Sequence, residues 1–182
     1  MRPHSFRHRA GGLAGCLAAC LAGWLALLAG PGAAQAAPEI GAAAPALTMT
    51  ALDGHVFALA ALRGKVVLVT YWATWCAPCK KEMPVLDAFY RRHRSEGLEL
   101  IGISADRPQD YAKMRDMSRA LSYPTATMDR ISDNGFGPPE GFPLTYVIDR
   151  NGVVRDRFIE VREQLLRDVV QPLLAAPPGP RP

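Results

Sequence analysis

Val66, Val67, Leu68 and Val69 follow one another without a polar break, and Trp72-Ala73-Thr74-Trp75-Cys76-Ala77-Pro78-Cys79 comes directly after. An apolar run without alternation is the pattern of a strand buried on both faces of a sheet, so Lys65–Tyr71 is assigned to such a strand. Pro78–Arg94 reads as a helix, with Met83, Leu86, Phe89 and Tyr90 on one face. Pro78 falls in the first turn, where a proline has no amide bond to lose. Pro84 lies further in and is expected to kink the helix. A buried strand that runs almost at once into a helix commits the chain to an α/β architecture. It also places Cys76 and Cys79 at the strand–helix junction.

The remaining segments complete that architecture. Leu47–Leu52 and Val56–Leu59 flank Asp53-Gly54, a short hairpin signal. Leu98–Ile103 is a second core strand. A helix starts at Asp106 and Pro108 and turns Tyr111, Met114 and Leu121 inward. Residues 122–141 are rich in glycine and proline and read as irregular. Leu144–Ile148 and Val153–Phe158 form strands around Asn151-Gly152. A final helix runs from about Arg162 to Leu174, weakened by Pro172. This order predicts a central mixed sheet with helices packed on it. Residues 37–46 are expected to be a linker, 47–175 the folded domain and 176–182 a disordered tail.

The amino terminus reads as a targeting signal. Arg2, His4, Arg7, His8 and Arg9 precede an apolar stretch from Ala10 to Gly30, then Pro31-Gly32 and the small-residue site Ala34-Gln35-Ala36. That is the order of a secretory signal peptide, cleaved after Ala36. The stretch is also close to the ~20 residues that span a bilayer, so an uncleaved anchor over residues 10–30 is the competing reading. Cys16 and Cys20 sit in short lipid-attachment-like strings, but both precede most of the apolar segment. In every case the basic end stays inside and the domain is expected outside the cytoplasm, in the periplasm or its equivalent. Removing the three leader arginines from the formal charge of +4 leaves +1, which excludes the electrostatic footprint of a nucleic-acid-binding protein.

With Cys16 and Cys20 in the leader, the domain retains only Cys76 and Cys79. A structural framework joins distant cysteines, whereas an isolated Cys-x-x-Cys pair in an oxidising compartment points to redox chemistry. A helix start presents unpaired amide hydrogens and a partial positive charge, both favouring thiolate over thiol. Cys76 is therefore expected to be exposed, to have a lowered pKa, and to attack the substrate disulfide. Cys79, one turn on, attacks Cys76 in the mixed disulfide and releases the partner. A zinc site needs four ligands, and beyond the pair the domain offers only His55 and His93, expected to be solvent-exposed and without ligand spacing. No metal or other cofactor is implied. A copper-carrying pair stays open, because Cu(I) accepts soft sulfur ligands. Met114 and Met117 are assigned to core packing.

Two blocks, Val67 through Pro84 and Gly141-Phe142-Pro143-Leu144-Thr145-Tyr146-Val147-Ile148-Asp149, resemble the thioredoxin superfamily, and within it the exported reductase-like branch of the TlpA and ResA type. The resemblance covers nearly all of residues 40–174. It implies a thioredoxin fold with an added N-terminal β-hairpin and a mid-domain insertion, and a redox-active Cys76–Cys79 disulfide. It implies that Pro143 is a cis-proline facing that disulfide, and that Trp75 shields the site. On physical grounds alone Glu82 is a surface carboxylate near a helix N-terminus; the resemblance implies that it exchanges a proton with Cys79. Thioredoxins of the cytoplasm place a buried aspartate where this chain has Thr70, which cannot titrate. Leu144 and the segment Asp133–Glu140 depart from the branch beside the expected substrate groove. The resemblance also implies protein thiols and disulfides as partners, with apocytochrome c or copper-centre proteins as substrates and a membrane electron donor of the DsbD or CcdA type. Peroxiredoxins share the fold but carry a threonine three positions before the reactive cysteine, where this chain has Ala73.

Overall fold

The computed structural model describes residues 37–177. The leader reading of residues 1–36 lies outside the described residues, as does the tail from 178. The strands are β1 (Leu47–Thr50), β2 (Val56–Ala58), β3 (Val66–Trp72), β4 (Leu98–Ser104), β5 (Thr125–Thr127), β6 (Ile131–Asn134), β7 (Leu144–Ile148) and β8 (Val154–Phe158). The helices are α1 (Ala77–His93), α2 (Tyr111–Ser118), α3 (Glu163–Leu165) and α4 (Gln171–Ala175). A five-stranded sheet has the order β5-β4-β3-β7-β8, with β3, β4 and β5 parallel and β7 and β8 antiparallel to their neighbours. This is the mixed central sheet that the element order predicts.

The unalternating run of β3 has a direct explanation. Val67, Val69 and Tyr71 pack into one apolar cluster with Ile101, Ile103, Tyr146 and Ile148. Val66 and Leu68 point the other way, against Leu86, Phe89 and Tyr90 of α1 and Leu166, Val170 and Leu174 near the C-terminus. Strand residues alternate between faces, so both faces are covered only if every residue is apolar or paired. Burying each such side chain contributes about 1.5–3 kcal/mol. The helix α1 continues through Pro84, whose side is exposed, while Met83, Leu86, Phe89 and Tyr90 are buried as its periodicity predicts.

The face of Val67, Val69 and Tyr71 is closed by a small three-stranded sheet, β2-β1-β6, which adds Leu47 and Met49 to the same cluster. The predicted hairpin supplies β1 and β2, in the register Thr48 opposite Ala58 and Thr50 opposite Val56. The third strand corrects the sequence reading of 122–141 as irregular. β5 pairs in parallel with β4, and β6 runs antiparallel to β1 with a register shift between Thr48 and Met49. Ile131-Ser132-Asp133-Asn134 has too little apolar alternation to signal a strand; its pairing comes from a partner far away in sequence.

Residues 41–46 are likewise not a free linker. Gly41 N–H donates to Val154 O at 2.7 Å and Val154 N–H to Ala42 O at 2.9 Å, which covers part of the open edge of β8. Gly135 N–H reaches Ala46 O at 2.7 Å, and a Cβ on Gly135 would lie 2.7 Å from Pro45 Cβ and 2.9 Å from Ala46 O. Gly135→Ala is therefore expected to destabilise the fold by about 1–3 kcal/mol, the usual cost of overpacking. A denaturant melt checks this, and an unchanged midpoint would mean that the two segments separate freely.

Two helices differ from their predicted forms. A 3-10 turn at Pro108–Asp110 precedes α2, which stops at Ser118, so Leu121 packs from the loop beyond it. The predicted C-terminal helix is divided by a π turn over Leu166–Val170 ahead of Pro172. Gln171 N–H donates to Leu166 O, five residues back, and Pro172 has no amide hydrogen to continue the α ladder. At the β7–β8 hairpin, Gly152 adopts φ +72° and Asp149 Oδ1 accepts from the amides of Asn151 and Val153, both at 2.9 Å. Asn151 is not in the left-handed region and Asp149 N–H pairs with Val153 O, so the loop holds three residues closed by a left-handed glycine, not the two-residue turn that Asn-Gly signals.

Candidate active site

The site forms where β3 gives out. Cys76 N–H donates to Ala73 O at 3.1 Å, closing a turn, and Cys76 itself is extended and caps α1. The first amides of a helix have no intrahelical partner. Here Pro78 removes one, and Cys79 N–H donates to Cys76 Sγ at 3.2 Å. The sulfur thus stands where a capping oxygen would, at the positive end of the helix dipole.

Cys76 and Cys79 form a disulfide with an S–S distance of 2.04 Å and Cα atoms 5.3 Å apart. Cys76 is 5% exposed and Cys79 0%. The order of exposure follows the sequence expectation, but in the disulfide Cys76 is far less open than predicted. Its neighbours Trp75, Ala77 and Pro78 carry the exposed surface of the junction.

Trp75, 59% exposed, meets Phe142 edge to face, with ring centroids 5.4 Å apart. The Phe142–Pro143 peptide is cis and Pro143 is buried. Phe142 also packs on the cluster of Trp72, Ala73, Cys76, Cys79, Met83 and Met114. The loop before β7 and the loop after β3 therefore meet over the disulfide, although far apart in the chain. Met114 is fully buried in that cluster, the core role assigned to it, and Met117 packs at its margin.

Glu82 is not the surface carboxylate that physical reading of the sequence alone favours. It is buried on the same side of α1 as Cys79 and Met83, and its Oε2 accepts from Val161 N–H at 2.8 Å. Burial pushes the Glu82 carboxyl up to about 7; the Val161 hydrogen bond opposes this and the nearby Glu160 charge adds to it. Thr70 is also buried, and Thr145 Oγ1 donates to its hydroxyl oxygen at 2.8 Å. The position thus holds a neutral hydroxyl pair.

The histidines divide. His55 is exposed, but His93 is only partly so: it stacks on Phe89 at 4.4 Å, and its Nδ1 lies 3.0 Å from Glu96 Oε1. It sits at the end of α1 opposite to Cys76.

Asp106 was missed as a site residue. Expected only to start a helix, it turns its buried carboxylate to the loop before Cys76. Its oxygens accept from Thr74 N–H at 3.0 and 3.1 Å, from Thr74 Oγ1 at 2.7 Å and from Ser104 Oγ at 2.8 Å. The available signal was a Ser-x-Asp pair at the carboxyl end of a buried parallel strand, where α/β proteins place their sites.

A family model described as AhpC/TSA matches residues 40–157. The thiol-disulfide oxidoreductase ResA of Bacillus anthracis is 35% identical over 133 residues, covering 70% of this chain and 75% of that protein. ResA of Geobacillus kaustophilus is 31% identical over 125 residues, covering 66% and 70%. Among solved structures, a thiol:disulfide interchange protein of the thioredoxin family from Chlorobium tepidum superposes with a TM-score of 0.62 at 28% identity, covering 76% of this chain and 99% of its own. A secreted thiol-disulfide isomerase from Corynebacterium glutamicum gives 0.61 at 26% identity, covering 73% and 86%.

Proposed function

The chain belongs to the AhpC/TSA family and is a thiol–disulfide oxidoreductase, and from that premise we propose that it reduces protein disulfides outside the cytoplasm through Cys76 and Cys79. The observation that carries this reading is the placement of Cys76 Sγ as the cap of α1, accepting the Cys79 amide hydrogen. A sulfur so placed is stabilised as thiolate once the disulfide is reduced.

In the reduced protein the Cys76 thiolate attacks one sulfur of a substrate disulfide. A mixed disulfide forms and the first substrate thiolate leaves. Cys79 gives up its proton and attacks Cys76 Sγ, restoring the Cys76–Cys79 bond and releasing the second substrate thiolate. Two electrons pass to the substrate, and each released sulfur takes up a proton. Glu82, one turn after Cys79, is the acceptor proposed for the Cys79 proton. A carboxyl with a pKa near 7 exists in both forms at neutral pH, as a group that exchanges protons there must. Trp75, Pro78 and the cis Pro143 form the surface against which the substrate chain would lie.

Each cycle leaves the pair oxidised, so a reductase needs an electron donor. We assign that task to a membrane relay of the DsbD or CcdA type, with apocytochrome c or copper-centre proteins as substrates. An extracytoplasmic domain, released or anchored by residues 10–30, fits the leader sequence and the secreted relative from Corynebacterium glutamicum. Among the described residues no helix is long and apolar enough to cross a membrane.

The reduction potential of the full chain, equilibrated against thiol buffers, tests the direction of flow. A value near thioredoxin's, about −270 mV or lower, is expected of a dedicated reductant; one near about −120 mV would reassign the protein as a disulfide donor. Turnover of hydrogen peroxide faster than of a protein disulfide would move the reading to a peroxidase.

A further inference from the structure

We propose that Asp106 is a positioning residue for the exchange reaction, fixing the turn that presents Trp75 and starts α1 at Cys76. The inference rests on Cys76 and Cys79 as the exchanging pair. Between Trp72, the last residue of β3, and Cys76 the chain has only Ala73, Thr74 and Trp75 in which to turn from sheet to helix. Cys76 N–H bonds Ala73 O, so Thr74 and Trp75 are the two central residues of that turn. Thr74 is 2% exposed and Trp75 59%, so the turn buries one and projects the other.

What holds Thr74 inward is Asp106. Both carboxylate oxygens lie within 3.1 Å of the Thr74 amide nitrogen, and the Thr74 hydroxyl donates at 2.7 Å. Ser104 Oγ donates to the second oxygen at 2.8 Å and itself accepts from Asp106 N–H at 3.1 Å, which fixes the rotamer of the carboxylate. Ala105 N–H donates to Trp72 O at 2.9 Å, so a backbone bond also joins the ends of β3 and β4 beside this clamp. A buried carboxylate persists because each donor around it is satisfied, and these bonds are of the strong, charge-assisted kind. With Thr74 held, the directions of Trp75 toward Phe142 and of Cys76 into the helix cap are set together. Losing the anchor leaves the cysteines intact but frees the turn, and a small displacement of a reacting group lowers rate steeply.

The test uses the full chain with Asp106→Ala, Asp106→Asn and Thr74→Val. The rate of exchange with a disulfide-bonded protein and with the small disulfide 5,5′-dithiobis(2-nitrobenzoate) is measured beside the Trp75 indole N–H resonance. Asp106→Ala is expected to lower the rate with the protein disulfide by about tenfold or more, the small disulfide by less, and to shift and broaden the indole signal. Asp106→Asn, which keeps an acceptor for the Thr74 amide, restores part of the rate. Thr74→Val removes one bond of the clamp, so a smaller loss in the same direction is expected even if Asp106→Ala does not fold. Wild-type rates and an unmoved indole signal in folded Asp106→Ala or, where that does not fold, in Thr74→Val would overturn the proposal. A parent chain that reduces neither disulfide would instead overturn the exchange function on which it rests.

Discussion

Replacing Cys76 with serine is expected to reduce disulfide exchange to the uncatalysed background, while replacing Cys79 with serine arrests the protein as a mixed disulfide. The two variants separate because the two sulfurs do different work. A serine hydroxyl at the α1 cap satisfies the Cys79 amide as well as the sulfur does, so folding is preserved, but it cannot attack a disulfide. Without Cys79 the first attack proceeds and nothing resolves it. Exchange kinetics with a disulfide-bonded protein and a non-reducing gel read both outcomes. Undiminished exchange by the Cys76 variant would end the assignment of Cys76 as nucleophile. Failure of the Cys79 variant to accumulate a reductant-sensitive adduct would remove its resolving role.

A second large effect is a stability that falls as pH rises. Glu82 has an ordinary value of 4.5, and in the fold burial raises it to about 7. Between these values the folded state keeps a proton that the unfolded chain has released. By linkage, the stability is therefore full below about 4.5 and declines until about 7, after which this group adds no further slope. The loss amounts to about 3 kcal/mol, at 1.36 kcal/mol per pKa unit. Glu82→Gln keeps an oxygen for the Val161 amide but carries no charge. It is expected to be flat over this window and more stable than the parent at pH 8. Denaturant melts on the disulfide form, where no thiol titrates, compare the two across pH. Equal slopes would show that Glu82 carries no raised pKa. The same substitution is expected to slow exchange and remove an inflection near neutral pH from its rate profile; an unchanged profile would take Glu82 out of the proton transfer.

The core of the fold was legible because it is written locally. The Val66–Val69 run and the apolar face of α1 each name a neighbour of fixed type, a buried sheet and a covering layer. The Asp53-Gly54 and Asn151-Gly152 turns announce antiparallel pairs whose partners are adjacent in sequence. The cysteine spacing was legible for the same reason, since Cys76 and Cys79 need only one helical turn to meet. The 131–134 strand and the docking of 41–46 on β8 were not. Their hydrogen bonds are made by backbone groups of segments whose side chains carry no periodic signal.

The α/β order of the chain and the seat of the cysteine pair at a strand–helix junction are therefore local properties, consequences of short-range patterning and backbone geometry. The electrostatic surroundings of that pair arise instead from contacts made only in the folded chain. Glu82 is an ordinary carboxylate until Val161, from the far side of β8, closes over it and excludes water. Asp106 is an ordinary turn residue until the parallel pairing of β3 with β4 brings Thr74 onto its oxygens. Charge and proton affinity depend on which groups replace water around an atom, and that is set by contacts between segments tens of residues apart.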